Sequence, residues 1–355
     1  MGKYDQSGKT FDWGMHYFRA FAIICIVLLH AGNKFGYGPY AKSLLQSASV
    51  FFLFISGYLC QFIDLKKHGT PTLDYYSKKL KNVLLPYLVW TTLFLLMVVL
   101  YPKAREGVIG VETLESWTSY VRMCLTGVVN EPFWYIPFVM GLFAVSPFIL
   151  RCSNSGLLAL SVAASVGFLL IPDRPFSFGY YRSIPIYMIY LVRIYGHFTV
   201  FYLLGFLYAR YKPQLDPWFK KYVWMFVALS VLLMAPTYVH SFKGCDLMNR
   251  WQAAALQKLT MIPVAIVVLG QVANRKIALL DNVANLSFTI FFVHMLFLTE
   301  FVELARRLNA HFGLGNGAGL IVDLMVLLAY LVGVYWFARL LKLLTGRFSR
   351  YLIGS

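Results

Sequence analysis

Long apolar runs, separated by short polar segments, dominate the hydrophobic pattern of this chain. A membrane-spanning helix needs about 20 mostly apolar residues. Ten runs approach or reach that length, and prolines interrupt the fourth to the sixth of them. The ten runs cover about 17–36, 44–63, 83–101, 133–150, 157–172, 194–210, 219–240, 252–270, 284–304 and 318–344. The pattern predicts an all-α fold, a polytopic membrane helix bundle of about ten transmembrane helices.

Composition agrees with this prediction. Hydrophobic residues make up 59% of the 355 residues and charged residues 13%, whereas about 25% of the residues of a soluble protein are charged. The formal net charge of +17 could indicate a nucleic-acid-binding protein. However, the basic residues occupy the short gaps between apolar runs and form no separate basic domain. We therefore expect contacts with membrane lipids and none with nucleic acid.

Basic residues also predict the orientation of the chain in the membrane. Cytoplasmic loops of membrane proteins carry an excess of lysine and arginine. Here the 64–82 loop, the 210–221 loop and the C-terminal tail carry most of that bias. Together with ten spans, this predicts that both termini are cytoplasmic. No long polar insert stands apart from the spans, so we expect one integral-membrane domain over residues 1–355, without an appended soluble domain.

The five cysteines are scattered, and no group of histidine and cysteine has the spacing of zinc ligands. We therefore expect neither a disulfide framework nor a metal site. Cys25 lies about 140° from His30 around a helix, which is a poor geometry for a cysteine–histidine nucleophilic pair.

The first apolar run carries two ionisable side chains, Arg19 and His30. Eleven residues of helix amount to about three turns and roughly 16 Å of rise, so both side chains share one face. That distance is about half the thickness of the bilayer hydrocarbon, and an ionisable residue at such depth is a functional-site hypothesis. Asn33 and Lys34 continue the polar stripe. The alternative is a structural histidine that is hydrogen-bonded to a neighbouring helix.

Two further segments could complete such a site. The second run contains Phe51-Phe52-Leu53-Phe54-Ile55-Ser56-Gly57. Its small residues Ser56 and Gly57 either allow close helix packing or leave a gap for a slender ligand. The third run begins with Lys78, Lys79 and Lys81. These lysines either mark the inner membrane boundary or bind a phosphorylated cytosolic ligand together with Arg19.

These segments, in this order, resemble the acyltransferase-3 family of membrane-bound O-acyltransferases, of the bacterial polysaccharide O-acetyltransferase type. The family has an Arg-x10-His first helix, a Phe-Phe-x-x-Ser-Gly second helix and a basic segment that ends near a proline, here Pro86. Two later stretches are also similar to family motifs: Phe133-Trp134-Tyr135-Ile136-Pro137 through Ser146-Pro147, and Leu286-Ser287-Phe288-Thr289-Ile290-Phe291-Phe292-Val293-His294. The resemblance covers about residues 14–300.

The chain departs from the family pattern at two points. An acidic residue often stands three positions before the arginine, whereas this chain has His16. The basic segment usually favours arginine, whereas this chain has lysine, which still binds phosphate as a point charge.

The resemblance implies transfer of an acyl group, most often acetyl, from cytosolic acyl-CoA to a hydroxyl of a cell-surface or lipid-linked carbohydrate, in the cytoplasmic (inner) membrane of a bacterium. Acetyl-CoA would be the co-substrate, and no metal is implied. His30 would act as the general base or would take the acyl group transiently. The acyl-CoA site would comprise Arg19, Ser56, Gly57, Lys78, Lys79 and Lys81.

On the acceptor side the candidates are Glu131, Trp134, Tyr135 and His294. The aromatic pair could instead be an ordinary interfacial anchor, and His294 a packed polar contact. Arg182 and Arg193 could contact an acidic glycan. The competing functions are a polysaccharide-precursor transporter or flippase without acyl transfer, and a structural membrane subunit. The identity of the acceptor, the length of the acyl group and assembly into a homo-oligomer stay open.

Overall fold

The computed structural model describes residues 11–62, 71–100, 117–171, 184–243, 250–273, 275–313 and 316–355. Within these ranges the chain forms helices and no strand, which confirms the all-α prediction. The helices are α1 (Trp13–Lys34), α2 (Gly38–Leu45), α3 (Ser49–Gln61), α4 (Pro71–Lys79), α5 (Leu85–Leu100), α6 (Trp117–Thr126), α7 (Tyr135–Arg151), α8 (Asn154–Leu170), α9 (Ile184–Lys221), α10 (Val223–Lys243), α11 (Arg250–Val272), α12 (Ala278–Val293), α13 (Leu298–His311), α14 (Asn316–Thr345) and α15 (Ser349–Leu352).

Seven segments of the described chain are long and apolar enough to cross a membrane: Trp13–Lys34, Gly38–Gln61, Leu73–Leu100, Glu131–Arg151, Ile189–Lys221, Gln252–Val272 and Ala318–Leu352. The pair α12 and α13 makes an eighth if it is one span, but the two helices are bent by 82° at the break between them. Two further apolar helices, Asn154–Leu170 and Val223–Val239, are shorter. Each predicted run thus overlaps helical structure in the described part of the chain, while the number of ten spans and the cytoplasmic termini stay predictions.

The chain divides into two compact units. The first unit contains the chain up to Ala48 and the segment Trp224–Ser349, together with Ser355. The second unit contains Ser49–Val223 and Arg350–Gly354.

Helix α1 lies at the centre of the first unit, where it packs against α2, α11, α12 and α13. Its first turn is capped by Asp12, whose carboxylate accepts a hydrogen bond from the Met15 amide at 3.0 Å. The hydroxyl of the buried Tyr17 makes two hydrogen bonds to the backbone just before α12. That hydroxyl donates to the Arg275 carbonyl and accepts from the Ile277 amide, both at 2.9 Å. The N-terminal helix and the late helix are therefore held in a fixed register.

The second unit is built around the close packing of α3 against α9. A Cβ on Gly57 would collide with the Tyr202 carbonyl, and a Cβ on Gly205 would collide with the Phe54 carbonyl. The two backbones can approach this closely because both contact positions are glycines. Arg210 then ties α9 to the ends of α3 and α7, since its guanidinium donates to Gln61 Oε1 at 3.1 Å and to the Cys152 carbonyl at 3.0 Å.

Candidate active site

Helix α1 carries both residues of the predicted site without interruption. Arg19 and His30 are each half-buried. The helix continues one turn past His30, to Lys34, and Gly36 then turns the chain with a φ of +86°. In this left-handed region glycine is favoured because it has no Cβ. Because α1 is helical throughout Trp13–Lys34, Arg19 and His30 are separated by about 16 Å along its axis, as predicted.

Three contacts join α1 to α12 and its C-terminal end, in the same order along both segments. His16 meets Asp281, Arg19 meets Ser287, and His30 meets His294. Because the order is the same, the two helices run parallel. The pairing brings the first-helix motif and the late Ser…His motif into one site within the first unit.

The Arg19 guanidinium donates from Nη2 to Ser287 Oγ at 3.1 Å. Ser287 is 1% exposed, whereas Arg19 is half-buried and therefore accessible from one side. A serine hydroxyl is neutral, so the positive charge of Arg19 is oriented without being cancelled by this contact. The arrangement suits the binding of an anionic group.

A carboxylate lies one helical turn from Arg19, although it does not come from α1. His16 Nε2 is 3.0 Å from Asp281 Oδ1. The same carboxylate accepts from Asn285 Nδ2 at 2.9 Å and pairs with Lys276 Nζ at 3.5 Å. The acid that the family often has on the first helix is thus replaced here by a histidine that contacts an acid on α12.

His294 is fully buried at the break between α12 and α13. Its ring Nδ1 lies 3.1 Å from the Ile290 carbonyl oxygen and 2.9 Å from that of Phe291. Carbonyl oxygens can only accept, so Nδ1 carries a proton. The Tyr330 hydroxyl donates to the His294 carbonyl. Side chain and backbone of this residue are therefore both fixed.

The His30 and His294 rings have centroids 5.3 Å apart, with an angle of 46° between their planes. A neutral imidazole can accept a proton from a hydroxyl group. This histidine pair could therefore perform acid–base chemistry.

In the second unit, the lysine segment packs against α7. The Tyr75 and Tyr76 hydroxyls donate to the Phe143 and Ala144 carbonyls at 3.1 and 2.7 Å. A π-helical turn, Leu80–Leu84, then joins α4 to α5. Such turns are frequent at functional sites.

The three lysines of this segment differ in their surroundings. Lys78 pairs with Asp74 at 2.7 Å, and Lys79 Nζ lies 3.7 Å from the centroid of the Phe143 ring. Lys81 is exposed. It has no ion-pair partner among the residues that the structure describes. Lys81 is therefore the member of the segment that is best placed to meet an external anion.

The remaining candidates also lie in the second unit. Ser56 Oγ is 3.4 Å from the Tyr135 hydroxyl. Trp134 packs against Phe198, with ring centroids 5.4 Å apart, and Glu131 is exposed at the start of the 3-10 turn Glu131–Trp134. The close approach of Tyr202 to Gly57 fits the packing role weighed for the small residues. Binding of acyl-CoA by Ser56 and Gly57, or of an acceptor by Glu131, Trp134 and Tyr135, stays a prediction.

A comparison with protein families decides the identity of the chain. A family model described as an acyltransferase domain matches residues 12–343, which is nearly the whole chain. The chain belongs to the acyltransferase-3 family. No curated protein and no solved structure matches it.

As a member of the acyltransferase-3 family, the protein is a multi-pass membrane acyltransferase. Within the described part of the chain, no group of three or more His, Cys, Asp or Glu side chains could hold a metal ion. Of the predicted site residues, Arg19, His30 and His294 lie in the first unit, and the others lie in the second. Arg182 lies outside the described residues.

Asp281 and Lys258 are polar residues of the first unit that were not predicted from the sequence. Asp281 is the only acid in α12, and its isolation in an apolar helix is a signal that could have singled it out. Lys258 is fully buried in the middle of α11. Its ammonium donates to the Leu44 carbonyl at 2.8 Å and to Gln257 Oε1 at 2.6 Å, so it fixes the end of α2.

Proposed function

We propose that this acyltransferase moves an acyl group, acetyl in the first instance, from cytosolic acyl-CoA to a hydroxyl of a cell-surface or lipid-linked carbohydrate. The observation that carries the proposal is the contact between the His30 and His294 rings, with Arg19 about 16 Å away on the same helix. A base is needed where the hydroxyl loses its proton, and a cation is needed where the donor phosphates bind. Helix α1 carries both, at a separation that suits an extended pantetheine arm.

The reaction needs one proton transfer and one acyl transfer. His30 takes the proton of the acceptor hydroxyl, the hydroxyl oxygen bonds to the thioester carbonyl carbon, and the carbon–sulfur bond breaks. The proton then passes from His30 to the departing CoA sulfur. In the alternative route, a His30 ring nitrogen bonds to the thioester carbonyl carbon, the carbon–sulfur bond breaks and CoA leaves as the thiolate. The acceptor hydroxyl oxygen then bonds to the same carbon, the nitrogen–carbon bond breaks, and the hydroxyl proton passes to the CoA sulfur.

His294 would contribute its second ring nitrogen, Nε2, to the site. Its Nδ1 proton is held by the Ile290 and Phe291 carbonyls, so its Nε2 can accept a hydrogen bond from the acceptor hydroxyl. We assign His294 to the acceptor side of the site on this basis. Such a contact would orient the hydroxyl between the two rings before His30 removes its proton.

On the donor side, Arg19 would bind the CoA phosphates together with Lys78, Lys79 and Lys81, and Ser56 and Gly57 would line the path of the pantetheine arm. The half-buried guanidinium, oriented by the neutral hydroxyl of Ser287, supports this role for Arg19. The setting that we propose is the cytoplasmic membrane of a bacterium, where cytosolic acyl-CoA and carbohydrate precursors both reach the protein. On the acceptor side we include Glu131, Trp134 and Tyr135.

The test is an acyl-transfer assay with purified protein, radiolabelled acetyl-CoA and a carbohydrate acceptor. His30→Ala should lower kcat by at least about 10²–10⁴-fold, as expected for loss of a general base or nucleophile. His311→Ala is the matched control, because His311 is exposed at the end of α13 in the same unit. Unchanged transfer by His30→Ala, or movement of glycan without acyl-CoA, would overturn the proposal.

A binding measurement tests the donor side separately. Arg19→Ala should weaken acetyl-CoA binding about tenfold or more, a loss of ~1.4 kcal/mol or more, and should leave acceptor binding nearly unchanged. Equal weakening of both ligands would contradict a donor-specific role for Arg19.

A further inference from the structure

A second polar network lies in the first unit, just past the C-terminal end of α1. The Tyr37 hydroxyl donates to Asp323 Oδ2 at 2.6 Å, and Asn309 Nδ2 donates to Asp323 Oδ1 at 2.9 Å. These three side chains come from the α1–α2 turn, from α14 and from α13. All three are half-buried, so the network is neither sealed in the core nor fully solvated.

The network lies on the same side of α14 as the histidine pair. Asp323 and Tyr330 are seven residues apart on α14, so their side chains point within about 20° of each other and are separated by roughly 10 Å along the axis. The Tyr330 hydroxyl donates a hydrogen bond to the His294 carbonyl. Asp323 therefore lies about 10 Å from the level of His294, on the helix face that is turned towards it.

Helix α1 leads to the network from the other side. Asn33 follows His30 by about one turn, and its Oδ1 lies 3.3 Å from where a Cβ on Gly38 would be. Gly38 is the residue after Tyr37, which binds Asp323. Asn33 thus lies one turn beyond His30 on α1 and next to the chain segment that carries Tyr37.

The unused hydrogen-bonding capacity of this network consists largely of acceptors. Each Asp323 oxygen accepts one of the bonds given above and can accept another. The buried Oδ1 atoms of Asn33 and Asn309 have no hydrogen-bond partner among the described residues. Buried acceptors without donors are unfavourable, so the network suits a ligand that brings several O–H or N–H groups. An acidic ligand would be repelled by the carboxylate.

We propose that Asp323, Asn33 and Asn309 form a subsite for the carbohydrate acceptor, and that this subsite selects neutral or amino sugars over acidic ones. The proposal rests on the proposed function. Because Asp323 lies about 10 Å from the level of His294, the subsite would hold a sugar unit next to the one that is acylated. Tyr37 is a positioning residue: burial raises its pKa to about 12, and its hydrogen bond to Asp323 and the negative charge there act in the same direction, so it remains a neutral donor that orients the carboxylate.

Kinetics with four sugars test this subsite. The probes are glucose, cellobiose, the disaccharide of glucosamine, and cellobiouronic acid, each with labelled acetyl-CoA. Of cellobiose and the disaccharide of glucosamine, the one with the lower wild-type KM is the reference substrate. Asp323→Asn should raise the KM for this substrate at least tenfold. It should leave kcat and the acetyl-CoA KM within twofold, and it should reduce the preference over cellobiouronic acid. Tyr37→Phe should raise the same KM about threefold, and glucose kinetics should change little in either variant.

Glu303→Gln is the matched control. Glu303 lies on another face of α13, where it pairs with Arg306 and Arg307, so its kinetics should equal those of the wild type. An unchanged disaccharide KM in Asp323→Asn overturns the subsite. So does a fall in kcat and Tm at constant KM, which would show that the network merely clamps the helices together. Hydrolysis of acetyl-CoA by the wild type without acylation of either the neutral or the amino disaccharide also overturns the subsite. Absence of both hydrolysis and transfer contradicts the proposed function itself.

Discussion

His16 on α1 and Asp281 on α12 contact each other at 3.0 Å, across 265 positions of the chain. The side chains are 7% and 17% exposed, so the contact is shielded from solvent. Because Arg19 follows His16 by one turn, this pair fixes the part of α1 from which the guanidinium projects. A residue that departs from the family pattern is thus integrated into the site by a carboxylate from another helix.

Removing this carboxylate should loosen the base of α1. We expect Asp281→Asn to lower the free energy of unfolding by about 1–3 kcal/mol, because it weakens the contacts of a buried polar group, and to raise KM for acetyl-CoA. Lys276→Ala removes a more exposed partner of the same carboxylate and should cost less than about 1 kcal/mol. Thermal unfolding of both variants checks the difference, and equal stability losses would argue against a special role of the His16 contact.

The His294→Asn variant separates the structural role of Nδ1 in packing from the proposed role of Nε2 in acyl transfer. The asparagine amide can still donate to the Ile290 and Phe291 carbonyls, as Nδ1 does now, but it has no group at the position of Nε2. We expect Tm to change by only a few degrees and kcat to fall by about 10²-fold or more. A His294→Asn variant with wild-type kcat would show that the ring is a packed polar contact and takes no part in transfer.

Gly57→Ala should reveal whether this glycine serves packing or ligand binding. The added Cβ would collide with the Tyr202 carbonyl, so we expect a loss of about 1–3 kcal/mol in stability. Ser56→Ala loses a long contact of 3.4 Å to Tyr135 and should be close to wild type in stability. If Gly57→Ala instead raises the acetyl-CoA KM without a change in Tm, the ligand-path role is favoured over packing.

The lysine segment should contribute unequally to donor binding. Lys81 is exposed, whereas the charge of Lys78 is already compensated by Asp74. We therefore expect Lys81→Gln to raise the acetyl-CoA KM several-fold and Lys78→Gln to raise it less, with both effects declining at high salt. Acetyl-CoA kinetics at two ionic strengths measure this. A larger effect for Lys78→Gln would contradict the ranking.

Local pattern was sufficient to predict the helices and the spacing of Arg19 and His30, since both follow from the length of apolar runs and from helical geometry. The late Ser…His motif was also identifiable, and the structure brings Ser287 to Arg19 and His294 to His30. The residues of both motifs, though not their pairing, could therefore be predicted from the sequence.

The partners of those residues were beyond the reach of local pattern. Asp281 lies far from His16 in the chain, so their contact exists through tertiary packing alone. The 82° break at His294 falls inside an apolar run without glycine or proline, where composition predicts an unbroken helix. Gly57 was compatible with two roles because its neighbour Tyr202 comes from a helix that sequence could not pair with it.

The first unit is built from two parts of the chain that are far apart in sequence, and this has a consequence for biosynthesis. Its helices α1 and α2 are made first, residues Ser49–Val223 of the second unit follow, and the segment Trp224–Ser349 of the first unit is made after them. During synthesis α1 must enter the bilayer with His16 and Arg19 before Asp281 and Ser287 exist. The nascent protein therefore has to hold α1 in the bilayer with its polar side chains unpaired to α12 until α12 is synthesised. A truncation before α12 would leave His16 and Arg19 without Asp281 and Ser287.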